Sequence, residues 1–140
     1  MPDLAVLDLS LHHVAVVVPD LDAAMARQEA LGFGGGERFD LPEHGVRAAT
    51  FRVGAGYLEL IQPTDPDGAI GRFLAKRGEG LHHVAYRVPD LPAALERLRA
   101  LGVRLIDEAP RTGAHGWRVA FVHPESGNGV LTELVETGEG

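Results

Sequence analysis

Two adjacent histidines, His12 and His13, recur seventy residues later as His82 and His83. The chain has seven histidines and no cysteine, so any metal ion must be held by imidazole and carboxylate. Carboxylates recur as well: Glu59 sits in the middle of "YLELI" and Glu133 in the middle of "LTELV". A carboxylate in so apolar a segment is costly to bury unless it is paired or metal-bound. Alone, a strand histidine usually packs, and a strand glutamate usually faces solvent on an antiparallel sheet. Repetition of both residue types at matching places points instead to one shared site.

The elements that must position these residues come from a duplication. Residues 11–32 and 81–102 are identical at 15 of 22 positions, including "LHHVA" and "VPDL". So long a period suits two copies of a small α/β module rather than a solenoid. Each copy opens with a strand, at residues 12–18 and 82–88, rich in β-branched side chains and ended by proline. A helix follows, with Asp20 or Asp90 as N-cap and Gly32 or Gly102 closing it. Its apolar stripe is Leu21, Ala24, Met25, Gln28 and Leu31 in the first copy, and Leu91, Ala94, Leu95, Leu98 and Leu101 in the second. Three strands should follow each helix: residues 36–39, 47–53 and 57–62, then 104–108, 117–123 and 130–135. Between the copies, "DPDGAIGRFLAKRGEG" predicts a short helix over residues 69–77, closed by Gly78.

Neighbouring strand residues point to opposite faces. His12, Val14, Val16 and Val18 share one face, as do His82, Val84, Tyr86 and Val88. This more apolar face should lie under the helix. His13 and His83 then lie on the open face, each beside a small alanine, Ala15 or Ala85. With Glu59 and Glu133 they make a set of four, two from each module.

Composition narrows the function class. Hydrophobic residues make up 45 % and charged residues 24 %, which is ordinary for a globular chain. A net charge of −7 and a pI near 5.4 disfavour a nucleic-acid surface and a polybasic membrane anchor. No apolar run is long enough to span a bilayer. The start, "MPDLAVLDLS", lacks the basic stretch and apolar core of a secretory leader, so the expected location is cytoplasmic.

The sequence resembles the vicinal oxygen chelate superfamily, and within it the methylmalonyl-CoA epimerase branch. The matching stretches include "HHVAVVVPDLDAA", "LPEHGVRAATF", "YLELIQP", "FLAKRGEGLHHVAYRVPDL" and "VAFVHPESGNGVLTELVE". The "HHVA" and "TEL" pieces mark the superfamily; the "FLAKRGEGLHH" junction, the "PEHGV" loop and "HPESGNGVL" mark the branch. The resemblance implies an α+β fold of two tandem pseudo-symmetric βαβββ modules, forming a cup-shaped mixed sheet around a metal site. A single domain over residues 1–140 is expected, with modules at about 10–63 and 81–136 and a helical connector at about 65–80. It also implies metal ligands at His13, Glu59, His83 and Glu133, and a homodimer. Two departures stand out. The region "ARQEALG" is one residue short of the family's first helix and lacks its aromatic pair. The position after the loop where some relatives carry a carboxylate is Ala48.

The implied reaction is R/S epimerisation of methylmalonyl-CoA at C2 through an enolate stabilised by a divalent ion, with Co²⁺ first and Mn²⁺, Ni²⁺ or Zn²⁺ also compatible with the ligand types. Inversion needs an acid/base group on each face. Glu133 is the first candidate; Glu43, His44 and His115 are candidates for the second. Lys76, Arg77, Arg111 and Arg118 are available to the phosphates of an acyl-CoA. A glyoxalase I-type lactoylglutathione lyase and a drug-binding protein of the bleomycin-resistance kind share the fold and stand as alternatives.

Overall fold

A computed structural model describes residues 7–138. Six residues of the "MPDLAVLDLS" start, on which the expectation of no leader rests, lie outside the described residues. The chain forms two compact units, one of residues His13–His82, the other of residues 7–12 together with 83–138. The boundary runs through both histidine pairs. The architecture is α+β, and both copies follow the β-α-β-β-β order.

In the first copy the elements are β1 (Ser10–Val17), α1 (Leu21–Ala30), β2 (Glu37–Leu41), β3 (Val46–Val53) and β4 (Gly56–Pro63). The sheet order is β2-β3-β4-β1, antiparallel except for the parallel β1–β4 pair. Helix α1 starts where the Asp20 carboxylate accepts the Ala23 N–H at 3.1 Å. A second free N–H, that of Leu21, donates to Gln62 Oε1 at 2.8 Å, which ties the helix start to β4. The buried face of α1 (Leu21, Ala24, Met25) packs with Val18, Ala49, Phe51 and Leu60. Helix α2 (Ala69–Arg77) follows, and Ile70 packs with Ala15, Val46 and Ile61. Gly71 is required there, because a Cβ would lie 2.3 Å from the Asp65 carbonyl oxygen.

The second copy repeats this with β5 (Gly80–Arg87), α3 (Leu91–Ala100), β6 (Arg111–Thr112), β7 (Arg118–Val122) and β8 (Thr132–Glu136), in the order β5-β8-β7-β6. The caps repeat too. Asp90 accepts from Ala93 N–H at 3.1 Å, and Glu136 Oε1 accepts from Leu91 N–H at 2.8 Å. Leu91, Ala94 and Leu95 pack with Val88, Ala120, Val122 and Leu134.

Three expectations change. The strand predicted over residues 104–108 survives only as an isolated bridge between Leu105 and Val122. The N–H groups of Ile106 and Asp107 both donate to the Phe121 carbonyl, at 2.9 and 3.2 Å, so two residues face one and the ladder breaks in a bulge. The apolar stripe also ends early. Leu31 and Leu101 are C-cap residues, 75 % and 64 % exposed, because the chain leaves the helix at Gly32 and Gly102 with positive φ. Finally, only the later part of each first-strand face lies under its helix: Val16 and Val18 pack against α1, and Tyr86 and Val88 against α3, whereas His12 and His82 pack elsewhere. Truncating a fully buried stripe residue leaves a cavity, and truncating an exposed one does not. Leu91→Ala should therefore lower the unfolding free energy by about 2–5 kcal/mol. Leu101→Ala should stay within about 0.5 kcal/mol. Urea denaturation of both variants checks the revised stripe.

Candidate metal centre

The two units carry equivalent histidine–glutamate pairs. In the first, β1 runs parallel to β4 with Ala15 beside Glu59, so His13 and Glu59 share a face. His13 Nε2 lies 4.0 Å from Glu59 Oε1, with side chains only 9 % and 13 % exposed. In the second, β5 runs parallel to β8 with Ala85 beside Glu133. His83 Nε2 lies 3.7 Å from Glu133 Oε1, with side chains 7 % and 10 % exposed. The alanine is fully buried in both cases: Ala15 packs with Val46 and Ile61, and Ala85 with Val119 and Val135.

The remaining histidine of each repeated pair is engaged in packing. His12 is buried and meets Trp117 edge-to-face, with ring centroids 4.6 Å apart. His82 meets Phe73 of α2 at 4.9 Å. Burial first, and then the nearby Arg77 charge, lower the His82 pKa below its ordinary value, so this ring is neutral at pH 7.

The donor set fits a divalent ion. Both nitrogen–oxygen separations are too long for a hydrogen bond. Two ligands about 2.1 Å from one ion lie about 3.0 Å apart when cis and about 4.2 Å apart when trans. Both observed separations fall in that window. Neither separation equals the cis or the trans value, but within each unit the imidazole and carboxylate are close enough for one ion to draw both into its shell, and four such donors would leave open positions on an octahedral ion.

The acid/base candidates sit on 3₁₀ turns. Glu43 and His44 are exposed on the turn Pro42–His44. His115 is exposed on the turn Ala114–Gly116, in a left-handed backbone conformation (φ 60°, ψ 18°), and its ring meets that of Trp117 at a tilt of 48°, with centroids 4.7 Å apart. A non-glycine residue in that conformation is uncommon and marks a locally constrained loop. Ala48, where some relatives carry a carboxylate, is buried within β3. Two of the basic residues offered for phosphate contact are already engaged. Arg111 pairs with Asp107 at 3.2 Å, and Arg118 with Glu136 at 3.3 Å.

Sequence analysis missed the aromatic neighbour of the second pair. Phe121 stands opposite Glu133 on β7 and meets the His83 ring edge-to-face, with centroids 5.4 Å apart. At the equivalent place in the first unit, Thr50 stands opposite Glu59. The register across the β7–β8 turn, with its "HPESGNG" run, is the signal that could have found Phe121.

Known proteins resemble this chain over most of its length. Residues 12–121 match the model of the Glyoxalase/Bleomycin resistance protein/Dioxygenase superfamily. Mitochondrial methylmalonyl-CoA epimerase of Bos taurus is 41 % identical over 126 residues, 89 % of this chain and 72 % of that protein. An ethylmalonyl-CoA/methylmalonyl-CoA epimerase of Cereibacter sphaeroides is 41 % identical over 127 residues, covering 89 % and 95 %. Among solved structures, a variant of Streptomyces coelicolor methylmalonyl-CoA epimerase in complex with 2-nitronate-propionyl-CoA matches with a TM-score of 0.84. It is 39 % identical and covers 92 % of this chain and 97 % of that one. The chain belongs to the glyoxalase/bleomycin resistance/dioxygenase superfamily and, within it, to the methylmalonyl-CoA epimerase family.

Proposed function

We propose that this protein epimerises methylmalonyl-CoA at C2, using a divalent ion held by His13, Glu59, His83 and Glu133. The observation that carries this is the pair of buried histidine–glutamate half-sites at equivalent places in the two repeats. The relatives named for this reaction, and the solved relative that holds a CoA ester, support the substrate class. The Cereibacter relative's name extends that class to ethylmalonyl-CoA. When bound, the ion supplies positive charge to the thioester oxygen as the C2 proton leaves.

The chain's own residues do the rest. Two imidazoles and two carboxylates would hold the ion, and the second unit's carboxylate has a further role. Glu133 takes the C2 proton on one face. A group on the other face returns a proton with inversion. We assign this to His115, supported by its constrained backbone and its ring contact with Trp117. Glu43 and His44, on the turn Pro42–His44, are the alternatives. Lys76 and Arg77, both exposed at the end of α2, are better placed for the CoA phosphates than Arg111 or Arg118, which are held by carboxylates. The family resemblance supports a homodimer, with the exposed Leu11 and Leu81 as apolar surface for it.

Two outcomes check this. Given Co²⁺ and no organic cofactor, the protein should interconvert the epimers of methylmalonyl-CoA in D₂O. Proton NMR should show deuterium entering C2 and little action on the hemithioacetal of methylglyoxal and glutathione. A preference for the hemithioacetal would move the protein to the lyase alternative. Metal-replete Glu133→Gln should lose about 10²–10⁴-fold in kcat, the usual scale of a general acid/base. Metal-replete Glu59→Gln should lose less than about tenfold, because an amide oxygen still ligates. If Glu59→Gln is the more damaged, the roles are assigned the wrong way round.

A further inference from the structure

We infer that Asp107 and Arg111, outside the four candidate ligands, are positioning residues that hold His83 in place through Phe121. The inference rests on His83 being a metal ligand for its purpose, but not for its geometry. Phe121 is held at both of its backbone polar groups by the bulge. Its carbonyl accepts from the Ile106 and Asp107 N–H groups, at 2.9 and 3.2 Å. Its own N–H donates to Asp107 Oδ2 at 2.8 Å. The same Asp107 carboxylate receives Arg111 Nε, at 3.3 and 3.2 Å to its two oxygens. Arg111 Cζ in turn lies 5.3 Å from the Phe121 ring centroid, within cation–π range. The ring so fixed meets the His83 imidazole at 5.4 Å and 88°, inside the range of favourable edge-to-face pairs.

One carboxylate therefore sets both the backbone and, through the guanidinium, the ring of the residue against His83. It is sheltered, with a side chain 18 % exposed, whereas Arg111 is 45 % exposed. The first unit lacks this device. There β2 pairs regularly with β3, Glu37 stands opposite Thr50, and Thr50 stands opposite Glu59. The broken ladder of the second unit is what frees Asp107 to reach Phe121. Bulges that re-aim a side chain are frequent beside active sites.

The test uses Asp107→Asn, which keeps an acceptor but removes the charge holding Arg111, and Arg111→Gln, which removes the cation. Arg111 is about half exposed, so its variant should fold. In metal-free protein, the imidazole resonances of His83 (assigned with His83→Gln) should shift in both variants, while those of His13 stay in place. Co²⁺ affinity should fall about three- to tenfold, the scale of one aromatic contact. Arg111→Lys should recover part of that loss. A merely structural change would move both histidines or neither. His83 resonances unchanged in both variants would overturn the inference. A parent protein that binds no Co²⁺ would overturn the metal proposal instead, and the metal-free His83 resonances would still decide this one.

Discussion

A carboxylate buried beside an imidazole constrains everything around it. Neither Glu59 nor Glu133 can be sheltered from water without a compensating partner. Each is approached by a histidine from the neighbouring parallel strand, at 4.0 and 3.7 Å. Parallel pairing delivers both side chains to one face, and only a crossover connection allows parallel pairing. The helix between β1 and β2, with β2 and β3, makes that crossover in the first unit, and α3 with β6 and β7 makes it in the second. Their anchoring follows the same logic. Gln62 and Glu136, on the very strands that carry the glutamates, accept the first N–H of α1 and α3.

The duplication explains why each unit repeats the same pair, and the departures from it lie in the strands opposite the glutamates. Glu59 faces a threonine across the sheet and Glu133 faces a phenylalanine. This difference in surroundings is one ground for proposing unequal roles for the two glutamates.

Much of this was legible in the sequence, for identifiable reasons. The alternation of strand faces separates His13 from His12 and His83 from His82, and duplication supplies the second observation that a lone histidine lacks. The caps Asp20 and Asp90 are local signals and lie where expected. The "FLAKRGEG" helix also matches, because Gly78 stops it. What was not legible depends on contacts far apart in the chain. The bulge at residues 106–107 follows from hydrogen bonds to Phe121, and nothing local to "RLIDEAP" announces it. The packing of His12 on Trp117 spans more than a hundred residues. Leu31 and Leu101 keep helical spacing but fall one residue past the helix end, where periodicity no longer reports burial.

The central claim is that two half-sites serve one ion. A crystal of the Co²⁺-loaded protein, with anomalous data on either side of the cobalt edge, tests it directly. The account predicts one anomalous peak per chain, bonded to His13, Glu59, His83 and Glu133. Two peaks, one on each histidine–glutamate pair, or a single peak bonded to His12 or His82, would contradict it.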